Sequence, residues 1–309
     1  MRGRAVPDAK RPLVKLIIGM IVYFACFFGM SRYGNVGLAV LARKAGIVEI
    51  SPYAAASLRL FGILIVMLIT CLLIRQMNVF FRRRRGFAYG LFVGGYMFLY
   101  SVIGFVSAFS SAFSAMRDAD SAMAATGSAL SDAGLGLSAA SVFQDGNTIL
   151  FSIIYFILVG ITEELVFRGI AADLLLQIFF QKFPDKKPVL PAVIISGLIF
   201  SAAHSVNLYV ADTSGVLVQM IAAFFLGMLL TAIYYRTGNI YVVIFLHILN
   251  DVAAAAPITI LKSETSITDV ISGYGASDLV MLIPYIIVLV FLLRPRKLAD
   301  IHKIFNIAC

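Results

Sequence analysis

The 309-residue chain has no tryptophan, three cysteines and three histidines. Cys26 and Cys71 lie inside apolar segments and Cys309 is the last residue, so neither a disulfide framework nor a CxxC metal site is present. Charge is also scarce, because only 13% of the residues are charged while 61% are hydrophobic, with a mean hydropathy of +0.96. A soluble globular protein is nearer half apolar and a quarter charged. The composition therefore excludes an ordinary soluble domain and predicts an integral membrane protein.

Two common catalytic signatures are missing from the sequence as well. There is no HExxH, which excludes an ordinary helical zinc protease. There is no Gly-x-Ser-x-Gly, and no cysteine accompanies the histidines of the apolar segments, which disfavours a nucleophilic hydrolase. Chemistry in this chain must therefore come from other polar residues within the apolar segments.

Apolar runs fill most of the chain, and a bilayer core is crossed by about 20 apolar residues in a helix. We therefore predict an all-α polytopic membrane protein with about eight transmembrane helices. The first run follows basic residues but has no clear small-residue cleavage site, so we expect a retained helix rather than a signal peptide. The predicted spans are residues 13–30, 54–74, 87–109, 148–181, 189–207, 215–235, 239–257 and 278–293.

The distribution of basic residues predicts the orientation. With a cytoplasmic N-terminus, the outer segments hold Arg32, Arg43, Lys44, Arg117 and Lys262, while the inner segments hold most of the 25 Lys and Arg residues. This asymmetry follows the positive-inside rule and makes both termini cytoplasmic. It also accounts for the net charge of +9 without a nucleic-acid partner. We expect a multi-pass protein of a bacterial plasma membrane.

A segment rich in Ser, Ala and Gly divides the chain. Residues 110–147 carry little charge. We predict that they form a flexible outer loop, with a short surface helix within it as an option. Residues 1–109 then form three N-terminal helices without a buried ionisable cluster. Residues 148–309 form a bundle of five helices with a basic C-terminal tail, and this part holds every polar constellation in the apolar segments.

The first constellation is Glu163, Glu164 and Arg168, inside an otherwise apolar run. Ionisable residues at bilayer depth are costly, face the protein interior and usually carry function. Adjacent glutamates project about 100° apart on a helix, whereas residues four apart share a face. Glu164 and Arg168 are therefore predicted to pair, which leaves Glu163 free for chemistry.

The other polar groups are His204, which ends one apolar run, and His247 with Asp251, which lie four apart on another. A buried carboxylate can take a proton from water, and imidazoles can hold that water, stabilise an oxyanion or bind a metal. This set therefore favours hydrolysis, with zinc as one option. Each group also has a purely structural interpretation: a lone membrane His bonding a neighbouring helix, a Glu164–Arg168 ion pair, or Asp251 as a cap.

In order and spacing, these residues resemble the CAAX prenyl protease 2 family, also called the CPBP or Abi family of intramembrane proteases. The resemblance covers about residues 148–256. The family motif Glu-Glu-x-x-x-Arg is matched by Glu163, Glu164 and Arg168, the motif Phe-x-x-x-His by Phe200 and His204, and the motif His-x-x-x-Asn/Asp by His247 and Asp251.

The resemblance implies a role for each of these residues. Glu163 is implied as the general base that activates water, Glu164 and Arg168 as a positioning pair, and His204, His247 and Asp251 as groups that bind water, oxyanion or metal. Phe200 is expected to pack. The family has been described both as metalloproteases and as metal-independent glutamate proteases. If a metal such as Zn²⁺ is bound, the implied ligands are Glu163, His204, His247 and Asp251.

The resemblance implies an intramembrane endopeptidase that cleaves a membrane-associated or lipidated peptide. Eukaryotic members of the family remove the last three residues of prenylated CAAX proteins, and bacterial members are linked to bacteriocin self-immunity. Two other classes stay open: a proton-coupled transporter, since buried carboxylates and histidines also form proton relays, and a non-catalytic immunity or scaffold protein. The oligomeric state, the substrate and the membrane face that admits it stay open too.

Overall fold

The fold is entirely helical in the part of the chain that the computed structural model describes, which is residues 10–44, 51–82, 85–126, 143–183, 188–261, 265–298 and 301–305. Helix accounts for 88%, and these ranges contain no strand. This confirms the predicted all-α class. Residues 127–142 of the predicted outer loop and the last residues of the basic tail lie outside the described ranges.

Thirteen α-helices are present in the described ranges, together with segments that have 3₁₀ or π-helical hydrogen bonding. Two of the joints matter for the site: a π-helical segment, Leu165–Ala172, between α5 and α6, and a 3₁₀ turn, His204–Tyr209, after α7. The helices are α1 Lys10–Lys44, α2 Pro52–Leu73, α3 Phe87–Val93, α4 Gly95–Thr126, α5 Gly146–Glu164, α6 Asp173–Lys182, α7 Val189–Ala203, α8 Thr213–Thr237, α9 Ile240–Thr259, α10 Ile267–Ser272, α11 Leu282–Leu292, α12 Pro295–Leu298 and α13 Ile301–Ile304.

Seven helical stretches in the described residues are long and apolar enough to cross a bilayer. The predicted eighth span corresponds to a shorter apolar stretch, Ala276–Leu292, which begins with a 3₁₀ turn. A 3₁₀ turn rises about 2 Å per residue and an α-helix about 1.5 Å, so this stretch reaches roughly 28 Å. That length is close to the thickness of the hydrocarbon core, and the chain is therefore a polytopic helical membrane protein.

Two helices run further than the hydropathy pattern predicts. The first helix continues to Lys44, and the third predicted span continues through Thr126 into the segment taken for a loop. Residues 110–126 contain neither Gly nor Pro and are rich in Ala, which is the best helix former. Falling hydropathy marks the end of a membrane span, but it does not by itself end a helix.

The helix that carries the two glutamates lies at the centre of the packing. α2 and α9 pack against α5, α7 packs against α8, and α4 packs against α9. α1 contacts α2, α6 and the π-helical segment, where the Tyr23 and Phe167 rings meet edge to face at 5.3 Å. The N-terminal helices are therefore part of the core that surrounds the polar residues.

A tight turn fixes the start of α9. Gly238 ends α8 with φ of 61°, a left-handed conformation that glycine adopts without steric cost. Asn239 then caps α9, because its side chain accepts a hydrogen bond from the Tyr241 N–H at 3.2 Å. This turn sets the depth and rotation of His247, two turns into α9.

Glycines allow α7 and α8 to approach closely. A Cβ at Gly197 would lie 2.6 Å from Met228 Cγ and 2.9 Å from the Phe224 carbonyl oxygen. A Cβ at Gly227 would lie 3.0 Å from Phe200 Cβ. Small residues at helix contacts are typical of membrane proteins, because packing rather than hydrophobic burial drives association there.

We expect Gly197→Ala to lower the melting temperature of the purified protein in detergent. The new methyl group meets a backbone carbonyl that cannot move alone, and overpacking of this kind costs about 1–3 kcal/mol. The matched control is Gly104→Ala, where the nearest atom lies at 3.9 Å and Ala should favour the helix. Equal melting temperatures for the two variants would contradict this account of the α7–α8 contact.

Candidate active site

Glu164 and Arg168 form the predicted ion pair at the junction between α5 and the π-helical segment. Arg168 Nη1 donates to Glu164 Oε1 at 2.7 Å, and neither side chain is exposed to solvent. Arg168 Nη2 also donates to the Gly227 carbonyl at 3.2 Å. The guanidinium thereby connects the glutamate helix to α8 at Gly227, where α7 and α8 approach closely.

The backbone between the glutamates and α6 is π-helical rather than α-helical, which the sequence pattern did not predict. π-helical turns are rare and occur frequently at functional sites. Every residue from 164 through 176 is buried, so packing on all sides holds the wider turn. The Tyr235 hydroxyl donates to the Ala172 carbonyl at 2.6 Å, where the π-helical segment ends.

α6 begins with an acidic residue, Asp173, directly after the π-helical segment. Asp173 is fully buried. Its carboxylate accepts hydrogen bonds from Gln76 and Arg82. From the sequence alone, the run of arginines at positions 82–85 is predicted to be a topology anchor that contacts lipid headgroups. Arg82 instead points inward and also lies 4.4 Å from the Phe305 ring. The physical reason is that a buried carboxylate needs a compensating charge, which outweighs contact of this arginine with lipid headgroups.

His247 lies between the buried ion pair and two further carboxylates. Its Nδ1 is 2.7 Å from Glu164 Oε1, so the ring donates there. Its Nε2 faces Glu163 Oε2 at 3.8 Å and Asp251 Oδ2 at 3.4 Å. Both ring nitrogens face acceptors, an arrangement that a doubly protonated imidazolium satisfies, because both of its nitrogens are donors.

His204 is the first residue of the 3₁₀ turn after α7, and its ring is oriented by its own helix. Its Nδ1 is 3.0 Å from the Phe200 carbonyl, which can only accept a hydrogen bond. In the neutral ring, Nε2 therefore keeps its lone pair and acts as an acceptor.

Phe200 is the packing centre of the site, as the sequence predicted. Its ring meets the rings of His204 and His247 edge to face at 5.0 and 5.8 Å. The Arg168 guanidinium lies 4.6 Å from the same ring. One buried aromatic ring thus contacts three polar side chains of the site.

A cavity of about 280 Å³ lies next to these residues. Glu163 and Asp251 reach it with 15% and 21% of their side chains exposed, whereas Glu164 and Arg168 are fully buried. His204 and His247 line it as well. The structure therefore divides the acidic residues into two that face the cavity and one that is sealed behind them.

The cavity has walls that sequence reasoning did not find. Phe27 and Leu60 line it from α1 and α2, and Tyr155 lines it from α5. Tyr274 and residues of α10 close another side. Apolar residues in apolar helices give no signal of this kind, so only the packing of the helices identifies them.

The six predicted site residues are all brought together, but the residues do not form a complete metal-binding set. Among the described residues, no three His, Cys, Asp or Glu side chains are arranged to hold a metal ion. His247 donates Nδ1–H to Glu164, and its Nε2 lies 3.4 Å from Asp251 Oδ2 and 3.8 Å from Glu163 Oε2. Histidines that bind zinc also donate their other ring N–H to a carboxylate, so zinc stays a prediction.

Together, fold and site define a polytopic membrane protein with a buried carboxylate–imidazole site beside a cavity. Residues 145–253 match the family model described as type II CAAX prenyl endopeptidase Rce1-like. The match runs from the cap of α5 past Asp251 and confirms the resemblance predicted from the three motifs. It supports a CAAX-protease-like intramembrane endopeptidase. No curated protein and no solved structure matches the chain.

Proposed function

We propose that the protein hydrolyses a peptide bond within the membrane with a water molecule activated by Glu163. The observation that carries this proposal is the division of the carboxylates around one cavity. Glu163 and Asp251 reach the cavity 3.8 and 3.4 Å from His247 Nε2, whereas the Glu164–Arg168 pair is fully buried.

In the proposed reaction, Glu163 takes a proton from water while the water oxygen attacks the peptide carbonyl carbon. The carbonyl oxygen becomes an oxyanion in the tetrahedral intermediate. When the carbon–nitrogen bond breaks, Glu163 returns the proton to the departing amine. Glu163 thus acts first as general base and then as general acid, and it ends the reaction in the protonation state in which it began.

His247 is suited to stabilise the oxyanion. Glu164 holds its Nδ1, so the ring is fixed with Nε2 toward the cavity side of the site. An N–H donor that is already oriented costs no reorganisation during the reaction, which makes such donors effective. Asp251, 3.4 Å from the same nitrogen, supports its protonated form.

His204 is suited to a different task. With Nδ1 bound to the Phe200 carbonyl, the neutral ring presents an acceptor, which can orient the attacking water or the N–H of the scissile peptide. His247 would then donate a hydrogen bond to the oxyanion, and His204 would accept one from the water or from the peptide N–H. Their different hydrogen bonds are the basis for this assignment.

The substrate we propose is a membrane-associated peptide or protein. A substrate must enter a cavity lined largely by apolar side chains, including Phe27, Leu60 and Val159. The family match favours a CAAX-protease-like reaction on a lipidated or membrane-bound chain. A bacteriocin-immunity role would use the same site if it required catalysis.

A cleavage assay on the detergent-purified protein, combined with elemental analysis, tests this proposal and the zinc alternative. We expect wild type to cleave an apolar membrane peptide without a stoichiometric metal, and cleavage to persist with chelator. Near-stoichiometric zinc that is lost in His204→Ala, with chelator-sensitive cleavage, would instead make the protein a metalloprotease. The scaffold interpretation would be favoured if the protein cleaved no member of a membrane peptide library and if Glu163→Gln left the phenotype of the cell unchanged.

A further inference from the structure

A tyrosine of the first helix carries a buried hydroxyl group that the proposed reaction does not use. Tyr23 is 1% exposed, and its hydroxyl has no hydrogen-bond partner among the described residues. Most buried polar side-chain atoms in proteins have a partner, either a protein group or an ordered water, because an unmade hydrogen bond is costly there. The surroundings of this hydroxyl therefore indicate which group it serves.

The face of α1 that carries Tyr23 packs on the segment that follows Glu163. A Cβ at Gly19 would lie 2.7 Å from Ile170 Cγ2, so α1 approaches the π-helical segment closely at this point. Tyr23 lies one turn further along the same face of α1, and its ring meets the Phe167 ring edge to face at 5.3 Å. Phe167 lies four residues after Glu163, and helical side chains lean toward the N-terminal end of their helix. This contact therefore places Tyr23 beside the turn of helix that carries Glu163.

Tyr23 lies directly behind the wall of the cavity. Its ring stacks on the Phe27 ring, with the centroids 5.4 Å apart and the planes inclined by 15°, and Phe27 lines the cavity together with Glu163 and Tyr155. The Tyr23 hydroxyl interacts electrostatically most strongly with the Glu163 carboxylate and less strongly with the Tyr155 hydroxyl. A carboxylate accepts stronger hydrogen bonds than a neutral hydroxyl does, so Glu163 is the acceptor that these contacts favour.

The Glu163 carboxylate can accept such a hydrogen bond without losing another. Among the described residues, its one ion-pair contact joins Oε2 to His247 Nε2 at 3.8 Å, which is beyond hydrogen-bond range. A carboxylate accepts hydrogen bonds through both of its oxygens. A donor on the other oxygen, Oε1, would therefore leave Oε2 beside His247 for the attacking water.

We infer that the Tyr23 hydroxyl donates a hydrogen bond to the Glu163 carboxylate, directly or through one ordered water, and so positions the base. The role of base rests on the proposed function, whereas the hydrogen bond does not. Because Tyr23 lies behind Phe27, it acts through Glu163 and is a positioning residue. It also lies outside residues 145–253, which match the family model, so the N-terminal helices contribute to catalysis through it.

A double-mutant cycle on the melting temperature in detergent tests the hydrogen bond without any assay of cleavage. Tyr23→Phe keeps the ring contacts and removes only the hydroxyl. We expect it to lower the melting temperature by a few degrees in the wild-type chain and to change it little in a Glu163→Met background, where only a weak sulfur acceptor remains. An unchanged or raised melting temperature for Tyr23→Phe in the wild-type chain, or an equal loss in both backgrounds, would overturn the inference.

Tyr285→Phe is the matched control for this cycle. Tyr285 is also buried, with 7% of the residue exposed, and its ring contacts the rings of Tyr96 and Tyr100 on α4. Phenylalanine keeps these contacts, and the groups that act on the Tyr285 hydroxyl are Tyr96 and Tyr100 rather than Glu163. Its effect on the melting temperature should therefore be the same with and without Glu163→Met. A difference as large as that for Tyr23→Phe would overturn the assignment of the coupling to Tyr23.

Turnover tests what the hydrogen bond does. We expect Tyr23→Phe to lower kcat about tenfold with KM unchanged, the size of effect that loss of a hydrogen bond to a charged group can have on a rate. Tyr285→Phe should cleave as the wild type does, and in a Glu163→Gln background Tyr23→Phe should cause no further loss of the residual rate. Wild-type kcat in Tyr23→Phe would overturn the positioning role. Absence of cleavage by the wild type would overturn the proposed hydrolysis, and the melting temperatures would still decide whether Tyr23 bonds Glu163.

Discussion

Replacing Glu163 by Gln is expected to lower the turnover of peptide cleavage by about 10²–10⁴-fold, the range that a positioned general acid–base group contributes. The amide keeps the size and the hydrogen-bonding capacity of the carboxylate but cannot take a proton from water. Glu163 Oε2 lies 3.8 Å from His247 Nε2, outside hydrogen-bond range, so its loss removes no strong contact from the fold. We therefore expect a folded, inserted and inactive protein.

The chain offers a matched control on the same helix. Asp145 caps α5 by accepting hydrogen bonds from the backbone N–H groups of Asn147 and Thr148. Asp145→Asn also exchanges a carboxylate for an amide, and Asn caps helices as well as Asp does. Comparison of kcat, and of melting temperature in detergent, for both variants isolates the chemical role of Glu163. A Glu163→Gln protein as active as Asp145→Asn would remove Glu163 from the mechanism.

Asp251 differs from Glu163 in a way that kinetics can reveal. It faces the cavity too, but it lies closer to His247 Nε2, at 3.4 Å. If it supports the protonated ring, as proposed, Asp251→Asn should reduce turnover less than Glu163→Gln does, while substrate binding, read as KM, changes little. A loss in Asp251→Asn equal to that in Glu163→Gln would mean that the two carboxylates share the role of base.

The sequence predicts the composition of this site well because charge is rare in the apolar segments. Every ionisable side chain there stands out against its neighbours, and helical spacing alone predicts that Glu164 pairs with Arg168. The same spacing argument predicts that Glu163 points elsewhere, and the structure directs it to the cavity. Rarity and periodicity are local properties, so a single sequence carries them.

Other features depend on packing between distant segments and have no local signature. The π-helical segment is one, because most of its residues are apolar and its single glycine is no unusual feature of a membrane helix. The inward position of Arg82 is another, since a run of arginines at a membrane boundary suggests lipid contact until Asp173 is seen to need a partner. The cavity walls formed by α1 and α2 are a third, because only the packing of the helices places Phe27 and Leu60 beside the cavity.

Replacing Arg168 by Met is expected to destabilise the protein by about 3–5 kcal/mol, the cost of leaving a buried charge without its partner. Arg168 Nη1 compensates Glu164, Nη2 holds the Gly227 carbonyl, and the guanidinium packs on Phe200. All three contacts are buried, so water cannot replace them. Thermal unfolding in detergent measures the effect, and Arg294→Met serves as the control, because Arg294 is exposed and such substitutions usually change stability by less than about 0.5 kcal/mol.

The double variant Glu164→Gln with Arg168→Met decides whether this pair serves only stability. Neutral groups in place of a buried ion pair are often no less stable, so we expect the melting temperature to recover toward wild type. Activity should not recover. The amide that replaces the Glu164 carboxylate has no negative charge to stabilise the protonated His247 ring, so we expect the His247 Nε2–H donor that faces the oxyanion to be weaker. A double variant that regains full cleavage would show that the pair is structural, and that Glu163, His204, His247 and Asp251 work without it. A single Arg168→Met variant as stable as wild type would contradict the buried ion pair itself.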